Sequence, residues 1–257
     1  MQLDASARSA WDRDGWLALR GVFDRDALDA VRVGVDDLER WAETDGAGLH
    51  HFEQTEHGSA LARSERFADD HGELGSFVRA GLIVELLAQL FDEPAVLFKE
   101  KVNYKQPGGA GFAPHQDAAA YRFVDHHISA MVPLDPATIA SGCLWFAPGH
   151  RAGALDTDDR GRLTDEVVRS LAWQPIEVEP GDLVLFDSYA PHRSSTNRAE
   201  HPRRALYLTY NAASRGDFRE RYYADKDAEL AAGGDAFESG NARISISDDF
   251  LGVPAVR

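Results

Sequence analysis

The sequence predicts a mainly β domain, a sandwich or barrel with flanking helices, and three observations carry that expectation. From Ala95 onward the chain is a series of short β-like runs punctuated by Gly and Pro, the texture of an all-β sandwich or barrel. Up to about residue 94 the apolar residues instead recur at helical spacing, as in helices that buttress a sheet. No internal repeat or break in composition divides the 257 residues, a length at which one domain with a sizeable core is expected. The expected organisation is a single domain over residues 1–257, with a helical part over about 1–94, a β core over about 95–215 and a helical C-terminal part.

In chain order, Trp16-Leu17-Ala18-Leu19 reads as a short strand. Asp24 is placed to cap a helix whose apolar face is Ala27, Leu28, Val31, Val35, Leu38 and Trp41. A second helical stretch runs from about Leu74 to Phe91, with Leu82, Ile83, Leu86, Leu87 and Leu90 apolar enough to be buried, and Pro94 marks its end. Strands are expected over Val96 to Lys105, His127 to Leu134, Cys143 to Phe146, Pro175 to Val178, Leu183 to Phe186 and Arg204 to Tyr210. Pro107-Gly108-Gly109-Ala110-Gly111 is a loop, Glu179-Pro180-Gly181-Asp182 a turn, and Asp156 to Gly161 and Ala231 to Asn241 are expected surface loops.

With 27 basic and 43 acidic residues the formal charge is -16, which repels phosphate backbones and anionic membranes, so a nucleic-acid or membrane partner is not expected. The single cysteine, Cys143, excludes an internal disulfide and a cysteine-held zinc. Met1 to Trp11 lacks an apolar h-region and no later run reads as a membrane span, so a soluble cytoplasmic protein, monomer or homodimer, is expected.

The most informative segment is Phe112-Ala113-Pro114-His115-Gln116-Asp117. On extended backbone a His and a carboxylate two residues apart project to the same side, so one metal ion can take both His115 and Asp117. His192 follows 75 residues after Asp117, enough chain for several strands to return to the same opening. Two imidazoles and one carboxylate leave open coordination positions, the donor set of non-haem Fe(II) oxygenases. The strand Phe98 to Lys105 puts Lys99, Lys101, Asn103 and Lys105 on one face, and that alternation fits either a solvent face or a polar pocket wall that favours an anionic substrate.

Over roughly Trp11 to Tyr223, and most closely over Lys99 to Asp117, Ser141 to His150 and Gly181 to Asn211, the chain resembles the phytanoyl-CoA dioxygenase family of Fe(II)- and 2-oxoglutarate-dependent oxygenases. The resemblance implies a double-stranded β-helix (jelly-roll, cupin-like) core, with His115, Asp117 and His192 as iron ligands. It implies that Arg203, eleven residues after His192, binds the far carboxylate of 2-oxoglutarate, as its planar fork suits. If the strand alternates regularly, Arg204 is a solvated surface cation; a one-residue change of register exchanges the two. Ser194 resembles a position that helps hold the co-substrate, with a local loop-stabilising role the alternative, and Lys101 aligns with a position that contacts 2-oxoglutarate. The implied reaction consumes O2 and 2-oxoglutarate and hydroxylates an unactivated C–H bond of a small molecule, and Asp117 argues against halogenation, because related halogenases lack that carboxylate.

Lys99 to Gly109 together with Arg203 to Asn211 is similar to bacterial relatives that hydroxylate small aminophosphonates such as 2-aminoethylphosphonate. A natural-product tailoring oxygenase is the alternative, and a non-catalytic cupin-like metal- or ligand-binding module is a third reading, one that has no use for a buried Arg203. Several relatives carry Trp near the position of Met131, Trp145 is expected to pack rather than face substrate, and His126, His127 and His150 are expected to be structural or on the surface.

Overall fold

The helical periodicity of the first part of the chain is realised as helices laid on one face of a large sheet. The computed structural model describes residues 1–44, 46–120, 124, 126–149, 153–232 and 249–255. Helix α1 (Ala5–Asp14) starts where the Asp4 carboxylate accepts from Ala7 N and leads into β1 (Trp16–Leu19). Helix α2 (Arg25–Glu43) starts at the expected cap, with Asp24 accepting from Ala27 N at 2.9 Å. Leu28, Val31, Val35 and Leu38 form its buried stripe, while Ala27, expected on that stripe, is exposed in the first turn.

Two parts of the N-terminal region differ from expectation. An antiparallel hairpin, β2 (Leu49–Thr55) and β3 (Gly58–Glu65), occupies sequence read as helical. Its period-2 signal is hidden because the sheet face it offers is polar: Glu53, Arg63 and Glu65 are all buried. The single helix expected over Leu74 to Phe91 is two, α3 (Gly72–Arg79) and α4 (Leu82–Phe91), separated by Gly81 at φ 79°, a backbone conformation that favours glycine. The 20-residue stretch Gly72–Phe91 is long and apolar enough by composition to cross a membrane, contrary to expectation. Here Leu74, Val78, Ile83, Leu86 and Leu87 are buried in the core on the sheet.

The remaining elements are β4 (Ala95–Lys105), β5 (Phe112–His115), β6 (Ile128–Pro133), β7 (Leu144–Phe146), α5 (Asp165–Ser170), β8 (Gln174–Ile176), β9 (Leu183–Asp187), β10 (His192–Ser194), β11 (Arg203–Ala212), α6 (Arg219–Ala232) and β12 (Val253–Ala255). Each expected strand is present within a few residues of its predicted ends; β5, β10, α5 and β12 were not separately foreseen. Asp156 to Gly161 is a largely exposed loop, but Ala231 and Ala232 end α6, and residues 233–241 of the other expected loop lie outside the described residues.

The strands form two sheets with the orders β1-β9-β6-β11-β4-β3-β2-β12 and β5-β10-β7-β8. Neighbouring strands are antiparallel throughout both. Strand alternation divides the large sheet into two chemically distinct faces. Val102, Val132, Leu185, Leu206 and Leu208 point out to α2, α3 and α4 and make the main core. Met131, Val184, Phe186, Ala205 and Tyr207 point inward to meet Leu144, Phe146 and Ile176 of the small sheet. This is the double-stranded β-helix, or jelly roll. The polar residues sit on the same inward face at the β4 end, and there the site is built.

Candidate metal centre

His115 and His192 are brought together by strand pairing. They stand directly opposite in the β5–β10 ladder, and their rings lie 4.2 Å apart between centroids. Each imidazole donates Nδ1–H to a carbonyl two residues earlier, His115 to Ala113 O at 2.7 Å and His192 to Ala190 O at 3.0 Å. Those bonds fix the tautomer that leaves both Nε2 atoms free of hydrogen and able to ligate.

Asp117 reaches the same point by a route the sequence did not show. Strand β5 ends at His115, and Asp117 opens a 3-10 turn (Asp117–Ala120), so extended alternation is not what aligns the pair. The intervening Gln116 fixes the bend: its amide donates to Tyr189 O at 2.5 Å and accepts from Leu155 N at 2.7 Å, while Ala118 N donates to Ser188 O. Asp117 Oδ1 lies 3.7 Å from His115 Nε2, and one ligand atom from each of His115, Asp117 and His192 falls within 4.8 Å of the other two. Two neutral imidazoles and a carboxylate fit a divalent iron with positions to spare.

The electrostatics suit the same occupant. Burial, reinforced by the neighbouring His115, pushes His192 down to about 4, so it is neutral near pH 7. Burial raises the Asp117 carboxyl, but His192, Lys99, His115 and Lys101 outweigh it and hold the group below the ordinary carboxylate range. Gly111 keeps the two sheet strands close: a Cβ there would stand 2.0 Å from Ser194 O. Gly111→Ala is therefore expected to spread β5 from β10, costing about 1–3 kcal/mol as overpacking does, and to lower iron content. Thermal melting and metal analysis of the purified variant check this; native iron content and stability would contradict it.

The face of alternating lysines is buried rather than solvent-facing and is pocket wall at Lys99, Lys101 and Asn103, whereas Lys105 lies outside the cavity lining and donates to Gly142 O, Ser194 Oγ and Ser195 O. Lys99, Lys101 and Asn103 line the cavity beside the histidines, with Ser129, Tyr207 and Thr209 on the neighbouring strands. Burial, opposed by Asp117 and Glu65, brings Lys99 down to about 8, and burial with the charges of Arg63 and Lys99 also holds Lys101 well below the ordinary lysine value. Lys101 also stands over the Tyr207 ring at 5.5 Å.

Arg203 faces inward and is 1% exposed. Its Nη1 donates to Tyr207 Oη at 3.0 Å, its Nε has no hydrogen-bond partner, and among the described residues no carboxylate pairs with it. The guanidinium is short of acceptors, but Arg203 is not among the residues that line the cavity beside the histidines; its partner Tyr207 is. Ser194 lines the cavity as well, but its hydroxyl already accepts from Lys105 Nζ at 3.0 Å and Phe112 N at 3.3 Å, so it also braces the strand junction. Arg204 points the other way, as regular alternation requires. It is not a solvated cation: Asp135, Asp36 and Glu39 all bind it, tying the sheet to α2.

Other residues at the site carried no readable signal. Arg63 and Lys226 line the cavity from the unforeseen hairpin and from α6, both held by the buried Glu65. Asp249 enters from the segment before β12. The alternation of Arg63 with Glu65 is the one clue that was available. Trp145 is not part of the cavity lining; it packs in the inner core with Arg193 over its ring. His126 pairs with Asp187, His127 is buried beside Phe98, and His150 lies outside the described residues.

Known proteins resemble the chain in sequence and in fold. The chain is 40% identical over 256 residues to a methylphosphonate hydroxylase of Gimesia maris, covering 98% of this chain and 97% of that protein. It is 37% identical over 224 residues to a 2-aminoethylphosphonate dioxygenase of an uncultured bacterium, covering 85% and 86%. Among solved structures, EctD from S. alaskensis with 2-oxoglutarate and 5-hydroxyectoine superposes with a TM-score of 0.73 at 21% identity, covering 83% of this chain and 77% of that one. AviO1 from Streptomyces viridochromogenes gives 0.69 at 22%, covering 83% and 97%. These two likenesses establish the jelly-roll fold. The phytanoyl-CoA dioxygenase (PhyH) pattern itself matches residues 11–205, a span that takes in both histidines, Asp117 and Arg203, and the chain belongs to that family.

Proposed function

We propose that this chain is an Fe(II)- and 2-oxoglutarate-dependent dioxygenase that hydroxylates a small phosphonate. The observation that carries the reading is the juxtaposition of the His115–Asp117–His192 donors with a buried cationic wall, Arg63, Lys99, Lys101 and Lys226, inside an otherwise acidic protein. A low-dielectric cleft focuses that local positive field, which suits a compact dianion. The two relatives named for phosphonate oxidation, at 40% and 37% identity, support the same substrate class.

In this reading His115, Asp117 and His192 hold the iron, and Arg203 takes the far carboxylate of 2-oxoglutarate, with Ser194 and Lys101 beside it. Bound iron with 2-oxoglutarate and O2 supplies the oxidising chemistry, and 2-oxoglutarate leaves as succinate and carbon dioxide. The chain positions and shields the reactants. Lys99 and Arg63 attract the phosphonate, and Phe112, Leu144 and Phe186 close the cavity against water. Tyr207 holds the Arg203 guanidinium in place behind the wall.

The test is a substrate panel scored by succinate formation with Fe(II), ascorbate and 2-oxoglutarate. 2-Aminoethylphosphonate or methylphosphonate is expected to stimulate succinate release well above the substrate-free rate. Amino acids, quaternary amines and acyl-CoA thioesters are expected to do so weakly or not at all. Stimulation by those compounds and by neither phosphonate refutes the substrate class while leaving the cofactor assignment standing.

A further inference from the structure

Within the cationic cavity stands one carboxylate that the functional reading does not use. Asp249 is 3% exposed and lines the cavity. Its backbone is fixed against β5: Ala113 N donates to Asp249 O at 2.7 Å, Leu251 N donates to Gly111 O at 3.0 Å, and the Phe250 and Phe112 rings sit 5.4 Å apart. Its side chain is poorly satisfied. Oδ2 lies 3.1 Å from His115 Nε2, its one ion-pair contact among the described residues, and Oδ1 has no hydrogen-bond partner.

That single contact is to the nitrogen His115 offers to a metal. An Nε2 that ligates a metal carries no proton to donate, so in the loaded site Asp249 has no hydrogen-bond donor among the described residues, and the charge of Lys101 acts on it only through space. Asp249 is also not one of the three side chains whose ligand atoms converge within 4.8 Å. A desolvated carboxylate short of donors is disfavoured, and a cationic donor on what fills the cavity would relieve it.

We infer that Asp249 is a specificity-determining residue that receives a cationic amino group of the substrate, so that the pocket selects an aminoalkyl phosphonate over an alkyl phosphonate. The inference rests on the phosphonate reading above. Opposite charges at the two ends of a small molecule then orient it: the phosphonate goes to the Lys99 side, the ammonium to Asp249, and the carbon between them is presented toward the His115 and His192 nitrogens. The same arrangement penalises a substrate without the amino group, which leaves the buried carboxylate unpaired.

The test compares 2-aminoethylphosphonate with propylphosphonate, which replaces the ammonium by a methyl group at nearly constant shape. In the wild type, kcat/KM is expected to favour the amino compound. In Asp249→Asn the ratio of the two kcat/KM values is expected to fall by roughly 30-fold, in line with loss of a charge-assisted bond. Anaerobic titration of the Fe(II)/2-oxoglutarate enzyme is expected to show a matching loss of affinity for 2-aminoethylphosphonate. Asp249→Glu, which keeps the charge, is expected to retain more of the preference and provides a second variant should the amide variant misfold.

An unchanged ratio in Asp249→Asn overturns the inference, as does an equal loss on both compounds. Loss of bound iron in that variant also overturns it, because Asp249 would then be a ligand. Failure of the wild type to act on any phosphonate removes the substrate reading and the inference together, whereas turnover of both compounds without an Asp249-dependent preference removes only the inference.

Discussion

Replacing His115 with alanine is expected to abolish 2-oxoglutarate-dependent succinate release, with and without a phosphonate. The loss should exceed the ~10–100-fold that removal of a hydrogen-bonding partner behind a metal ligand costs, because the ligand itself goes. His115 stands opposite His192 in the β5–β10 ladder, with its Nδ1 committed to Ala113 O and its ligand atom beside those of Asp117 and His192. Asp249, 3.1 Å away, is the nearest other donor and would have to leave its backbone-fixed position to substitute. The measurement is succinate per enzyme alongside iron content and a thermal melt. Undiminished turnover in a folded His115→Ala protein would refute the metal assignment.

The second large effect is expected at Arg203. Truncating one side of a buried, hydrogen-bonded charge pair costs about 2–5 kcal/mol, so Arg203→Ala is expected to raise the 2-oxoglutarate KM by roughly 30-fold to several thousandfold. Part of kcat should return at saturating co-substrate, because the iron donors are untouched. The neighbouring Arg204 is the internal control. Its guanidinium spans Asp135 on one side and Asp36 and Glu39 of α2 on the other, so Arg204→Ala is expected to lower the melting temperature while changing the 2-oxoglutarate KM by less than about twofold. Equal KM effects from the two substitutions would show that neither arginine specifically anchors the co-substrate.

The sequence displayed the parts of this protein that rest on simple periodicities. The α2 stripe, the β4 alternation of Lys99, Lys101, Asn103 and Lys105, and the opposite facing of Arg203 and Arg204 follow from local geometry, and the structure keeps all three. The His115–Asp117 pair was found for an incomplete reason. Spacing on a strand suggested a common side, but the strand ends at His115 and Gln116 turns the chain so that Asp117 arrives from a 3-10 turn. The β2–β3 hairpin was hidden because buried ion pairs around Glu65 replace the apolar residues that normally reveal an inward face. Asp249 was hidden for a different reason. Its place depends on backbone bonds to residues 111 and 113, and no period or motif in sequence reports such a tertiary contact.

Strand β4 carries chemistry on one side and structural support on the other. Lys99, Lys101 and Asn103 line the cavity while Val102 and Tyr104 belong to the main core, and β11 pairs with β4 in unbroken register from Lys105 to Lys99, with a register shift beyond it between Thr209 and Tyr210. An indel of one residue within the regular stretch Lys99 to Lys105 would move every following side chain to the other face, driving lysines into hydrocarbon and leucine-facing groups into the anion cradle at one stroke. Drift in this segment can thus proceed by exchanging residues, whereas its length is locked by having two incompatible neighbours to satisfy.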